Sequence, residues 1–153
     1  MEKENSNTKD RELILTRTLD APIDLVWEVW TKAEHLAQWW GPDGFTNTIY
    51  KMDVKAGGEF NLMMHGPDGT DYKNESIFKE VIFHKKIVYD HISYPRILAT
   101  ITFEPQGDKT LIHWHMLFDS PEEFIKVVKT YKADEGQKQN VEKLNVYLIA
   151  LKK

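Results

Sequence analysis

Apolar and polar positions alternate with a period of two from Leu13 to Leu19, and the alternation stops at Asp20-Ala21-Pro22. This is the pattern of a half-buried strand closed by a turn. Pro22 then suits the first position of a helix, and Ile23, Val26, Trp27 and Trp30 follow at i, i+3, i+4 and i+7, a stripe that buries two indoles. Thr31-Lys32-Ala33-Glu34 has the spacing of a capping box and predicts a second short helix to about Trp39, ended by Trp40-Gly41-Pro42-Asp43-Gly44. From Phe45 to Phe118 the period returns to two. Turn residues recur at Ala56-Gly57-Gly58, Gly66-Pro67-Asp68-Gly69, His84-Lys85-Lys86, Ser93-Tyr94-Pro95 and Pro105-Gln106-Gly107-Asp108, which predicts an antiparallel meander of about six strands.

Within that meander Phe60, Leu62 and Met64 share one strand face, as do Ile97, Ala99, Ile101 and Phe103, and Ile112, Trp114, Met116 and Phe118. Asn61, His65, Thr100, His113 and His115 take the opposite faces, so one side of the sheet is apolar and the other is wet. Along residues 72–83, Ile77, Val81 and Phe83 compete with Phe78 and Ile82 for the inside, a conflict that a bulge resolves. Ser120-Pro121-Glu122-Glu123 opens a helix with a cap, a proline and a glutamate in their favoured places. Ala133-Asp134-Glu135-Gly136 breaks the helical pattern, after which Val141, Leu144, Leu148 and Leu151, flanked by Tyr147, form a terminal amphipathic helix. The order of elements is α+β: one curved antiparallel sheet of about six to seven strands wrapped around a long carboxy-terminal helix, with two short helices after the first strand.

Composition narrows the picture. With 153 residues and 7 Phe, 6 Tyr and 5 Trp, the chain can fill one core, whereas residues 1–11 hold nothing apolar after Met1 and read as a polar tail before a single domain over 12–153. No Cys occurs, which removes disulfides, thiolate metal sites and thiol nucleophiles. A net charge of −4 disfavours a nucleic-acid partner, and without a membrane-length apolar run or a secretory leader the expected compartment is the cytoplasm.

Ala21-Pro22-Ile23-Asp24-Leu25-Val26-Trp27-Glu28-Val29-Trp30-Thr31, Glu34-His35-Leu36-Ala37-Gln38-Trp39-Trp40-Gly41-Pro42-Asp43-Gly44-Phe45-Thr46 and Met52-Asp53-Val54-Lys55-Ala56-Gly57-Gly58 resemble homologues of the heat-shock protein 90 ATPase activator. Gly66-Pro67-Asp68-Gly69 and Leu117-Phe118 extend the likeness over about Leu13 to Leu151. The resemblance implies the helix-grip fold of the START and birch-pollen-allergen (SRPBCC, polyketide cyclase) superfamily, whose members include carriers of hydrophobic molecules and aromatic cyclases. It therefore implies a cavity more strongly than an activity. Many relatives carry a Trp after the Glu-Gly pair of the last-helix region, where this chain has Gln137, which bears on access near that helix. The eukaryotic co-chaperone has a further amino-terminal domain that these residues lack, so chaperone activation does not carry over by resemblance.

A sheet curled around a helix diverges in the middle, and an apolar cavity there is the default ligand site. Trp40, Phe60, Leu62, Met64, Tyr89, Ile101, Trp114, Leu144, Tyr147 and Leu148 are the expected lining, with Trp40 at the mouth, and a Leu144→Trp change is expected to fill it. His91, in phase with Ile87 and Tyr89, and Glu80, in the strand with the conflicting pattern, are the acid–base candidates. His113 and His115 share a face and could chelate a metal with His65, but their strand partners claim the apolar side and leave them to solvent, so neither a metal nor another cofactor is expected. Three functions compete: a carrier of a hydrophobic or aromatic molecule, a cyclase- or hydratase-like enzyme in the same cavity, and a module that docks on a chaperone. Catalysis needs at least two polar groups at one locus, and the weakly phased candidates rank binding first. The chain is expected as a monomer or homodimer.

Overall fold

A computed structural model describes residues 9–152. The elements are β1 (Glu12–Leu19), α1 (Ile23–Thr31), α2 (Ala33–Trp39), β2 (Thr46–Met52), β3 (Glu59–His65), β4 (Asp71–Ile82), β5 (Lys86–His91), β6 (Ile97–Gln106), β7 (Lys109–Phe118), α3 (Pro121–Tyr131) and α4 (Ala133–Leu151). Each strand from β2 to β7 pairs antiparallel with the next, and β1 joins β7, giving the order β1-β7-β6-β5-β4-β3-β2. The first two strands in sequence are thus opposite edges of the sheet, and α1 and α2 span the distance between them. This is the expected α+β helix-grip arrangement.

Local chemistry departs from expectation at four places. Thr31 does not cap α2: its hydroxyl donates to the Trp27 carbonyl one turn back, and Lys32, extended at φ −108°, separates the helices without a side-chain cap. Pro22 is itself the extended residue before α1, one position earlier than its helical propensity suggests. The pattern break before the last helix is a single residue, Lys132, left-handed at φ 54°, and α4 runs unbroken through Gly136. Of the polar tail placed at 1–11, residues 1–8 lie outside the described residues, whereas 9–11 form a short turn whose Arg11 donates to the Asp119 carbonyl at 2.8 Å. Elsewhere the sequence cues hold: the Ser120 hydroxyl accepts from Glu123 N at 3.1 Å, and the bulge of β4 falls between Phe78 and Glu80.

That bulge settles the competition along β4. Phe78 is buried before it and Val81 packs against the core after it, while Ile82 and Phe83 stay exposed. All five tryptophans are buried in one cluster. Trp30 meets the rings of Trp39, Trp40 and Trp114 edge-on at centroid distances of 4.8, 6.0 and 5.5 Å, and Trp40 stacks on Trp114 at 5.7 Å. Edge-on aromatic pairs add stabilisation beyond their buried area. Val141, Leu144 and Leu148 of α4 close this cluster from the other side. The end of α4 is tied to the turn after β1 by Asn145, which accepts from Asp20 N at 2.8 Å and donates to Asp20 Oδ2 at 2.9 Å.

Candidate functional site

Between the carboxy-terminal half of α4 and the sheet, Val141, Leu144 and Leu148 are buried in the core cluster. Under Trp30, Leu36, Trp40 and Phe60 there is a void of only about 10 Å³, near the size of one water. A recess of about 540 Å³ instead opens where the helices meet, between the inner face of β3–β7 and the junction of α3 with α4. Its floor is Phe60, Leu62, Met64, Ser76, Tyr89, His91, Trp114 and Met116. Val127 and Tyr131 of α3 and Ala133, Gly136, Gln137 and Asn140 of α4 form the roof; residues 40–43, Phe45, Tyr94 and Pro95 form the rim.

The roof exists because α4 begins at Ala133. Its first turns stand over the sheet, and Gly136 lets them approach the rim, since a Cβ there would lie 3.2 Å from Pro42 Cγ. Gln139 accepts from Asp43 N at 3.1 Å and Lys143 Nζ donates to the Pro42 carbonyl at 3.1 Å, which holds the rim to the helix. Burial pushes the Lys143 ammonium below the ordinary lysine range. Two buried amides seal the inner edge: Gln137 donates to the Trp114 carbonyl at 3.1 Å and Asn140 to the Trp39 carbonyl at 3.0 Å.

Of the expected lining, Trp40, Phe60, Leu62, Met64, Tyr89 and Trp114 border the recess. Ile101, Leu144 and Leu148 do not. All three are 0% exposed and close-packed in the core, because the tryptophan cluster fills the curl of the sheet that sequence reasoning left open. Tyr147 also lies elsewhere, its hydroxyl 2.7 Å from His35 Nδ1 on the α2 side. The missed contributors are Asn74, Ser76, Tyr131, Ala133, Gln137 and Asn140. One signal for them was present: Gln137 and Asn140 continue the stripe of Val141 and Leu144, and polar residues on a buried stripe mark a wall with hydrogen-bonding work.

The acid–base candidates separate. Glu80 faces outward and pairs with Lys86 at 3.2 Å, since the bulge turns its side chain from the core. His91 faces the recess, with Nδ1 donating to the Pro95 carbonyl at 2.7 Å and Nε2 2.6 Å from Asn74 Oδ1. Burial pushes its ring below the ordinary histidine range, and the hydrogen bond to Pro95 opposes that shift. Burial also raises the Tyr89 phenol. The remaining histidines are dispersed: His113 contacts Thr16 Oγ1, His115 contacts Glu12, and His65, with three strands between it and β7, lies between Thr48 and Asp71. Among the described residues no group of three His, Asp or Glu side chains could hold a metal.

The rim segment 92–96, with a cis Tyr94–Pro95 peptide, is fixed by Arg96, which donates to both oxygens of Asp90 at 2.9 and 2.8 Å. The hydrogen bond from Arg96 holds the Asp90 carboxyl below the usual carboxylate range. The pair therefore stabilises the fold above the unfolded carboxylate value of about 3.9, and its contribution is lost as pH falls through the lower folded value. Arg96 is half-exposed, so Asp90→Asn is expected to cost under about 1 kcal/mol near neutral pH and to flatten the acid limb of stability. Urea titrations at falling pH check this; an acid limb as steep as the parent's would contradict it.

No helix among the described residues is long and apolar enough to cross a membrane. No curated protein matches the chain. Among solved structures, a protein of Nitrosomonas europaea is 25% identical, with 94% of this chain and 97% of that one covered at a TM-score of 0.85. A protein of Arthrobacter aurescens is 22% identical, with 94% and 88% covered at 0.86, and a Staphylococcus aureus protein of unknown function is 18% identical, with 92% and 94% covered at 0.68. The last two likenesses establish fold alone. Residues 20–149 match the family described as Activator of Hsp90 ATPase homolog 1-like protein, and the chain belongs to that family.

Proposed function

We propose that the protein binds an apolar or aromatic small molecule in the recess between the sheet and the first turns of α4. The observation that carries this reading is the recess itself: about 540 Å³, walled mainly by apolar surface, with polar side chains that include Asn74, Ser76 and His91 on the sheet side. That volume and composition are typical of small-molecule sites. Binding is favoured over catalysis because Glu80, the other acid–base candidate, points away from the recess that His91 faces.

Two neutral probes, decanol and phenylbutanol, test the reading by thermal unfolding. A ligand that binds only the folded state at about 100 times its Kd adds about 2.7 kcal/mol of stability, so the melting temperature is expected to rise with at least one probe. A temperature that neither probe moves, with intrinsic tryptophan fluorescence also unchanged, would overturn it.

A further inference from the structure

On the sheet side of the recess, Asn74, Ser76 and His91 have a hydrogen-bond arrangement that points to the ligand's chemistry. His91 lies opposite Ser76 in the β4–β5 pairing, and each ring nitrogen meets an oxygen. The Pro95 carbonyl can only accept, so Nδ1 carries a hydrogen. Asn74 Nδ2 donates to the Tyr72 carbonyl at 3.0 Å, which fixes the amide; turning it over would set two oxygens against each other. The atom facing Nε2 is therefore also an acceptor. Only the imidazolium, with hydrogens on both nitrogens, satisfies both contacts.

Among the described residues, the carboxylate whose charge favours the protonated ring is Asp90, which is not part of the recess lining. Asp90, next in sequence, projects to the other face of β5 and is engaged by Arg96. Lys73, Lys132, Asp43 and Glu135 at the recess border are two of each sign, and Lys73 is paired with Glu75 at 3.5 Å. The remaining titratable groups of the wall are the phenols of Tyr72, Tyr89, Tyr94 and Tyr131. Burial disfavours the charged ring while the backbone at Pro95 and Ser93 and the charge of Asp90 favour it, and an anion beside it would favour it further. Two hydroxyls stand ready to help: Ser76 and Tyr89 are 2% and 7% exposed, both border the recess, and neither hydroxyl has a hydrogen-bond partner among the described residues.

We propose that the recess receives an apolar molecule ending in a carboxylate, its anionic end set against protonated His91 and the hydroxyls of Ser76 and Tyr89, and that binding loads a proton from solvent onto His91. This rests on the recess being the binding site. Calorimetric titrations of decanoate and phenylbutyrate against decanol and phenylbutanol, near about pH 7 in two buffers of different ionisation enthalpy, test it. At least one carboxylate is expected to bind about tenfold or more tightly than its alcohol and to take up protons, and the aliphatic and aromatic arms report which tail fits. His91→Gln is expected to erase that preference and the proton uptake; the buffer comparison on the unaltered protein stands independently of that variant. Equal affinity for acid and alcohol, or carboxylate binding without proton uptake, would overturn the proposal and leave the binding site intact. Failure of all four probes to bind would overturn both.

Discussion

Trp39→Ala is expected to lower the stability of the fold by about 3–5 kcal/mol, the range for truncating a large aromatic in a close-packed interior. Trp39 is 0% exposed and joins three parts of the molecule. Its ring meets Trp30 of α1 at 4.8 Å and Trp40 at 5.4 Å, its Nε1 donates to the Val29 carbonyl at 3.0 Å, and its own carbonyl accepts from Asn140 of α4 at 3.0 Å. Removal of the indole leaves a cavity at the centre of the cluster and the Val29 carbonyl without that donor. Trp39→Phe keeps most of the ring contact and loses the N–H bond, so its cost should be clearly smaller. Urea unfolding followed by far-ultraviolet circular dichroism reads both. A loss below about 1 kcal/mol for the alanine variant would show that the cluster relaxes around the site and does not organise the helices.

A second pair of substitutions separates core from recess. Leu144→Trp is expected to destabilise the protein by about 1–3 kcal/mol or more through overpacking, because Leu144 has no free volume beside it. Ala133→Trp, at the partly buried start of α4, is expected to leave stability within about 1 kcal/mol and to abolish the effect of phenylbutanol, because the added indole enters the recess. Thermal unfolding with and without the alcohol gives both answers. A stable Leu144→Trp protein that has lost binding, beside an Ala133→Trp protein that still binds, would place the site at the other end of α4.

These substitutions mark where sequence reasoning stopped. Strand faces, turns and the Ser120 cap were legible because they depend on periodicity and on side chains within three or four residues. The inward set on β3, Tyr89 and Trp114 could be read for the same reason, as could the direction of His91. Ile101, Leu144 and Leu148 are inward too, and no local rule distinguishes an inward residue that meets a partner from one that meets empty space. Here the decision belongs to the tryptophans of α1 and α2, which fill the curl near β6 and the end of α4 and displace the open volume toward the α3–α4 junction. Thr31 misled in a different way: its hydroxyl had two partners within reach, and the preceding helical turn was the nearer. Glu80 could not be oriented without knowing on which side of the Phe78–Glu80 bulge the register shifts.

An apolar ligand is expected to occupy the recess under the first turns of α4. Isotope-filtered nuclear Overhauser spectroscopy of labelled protein with unlabelled phenylbutanol measures this most directly, because Met64 and Met116 carry methyl groups in the recess wall and Leu144 and Leu148 carry them in the closed core. Cross-peaks are expected from the phenyl protons to the Met64 and Met116 methyls and none to Leu144 or Leu148. Cross-peaks to the leucines alone, or bound ligand with no contact to either methionine, would contradict it.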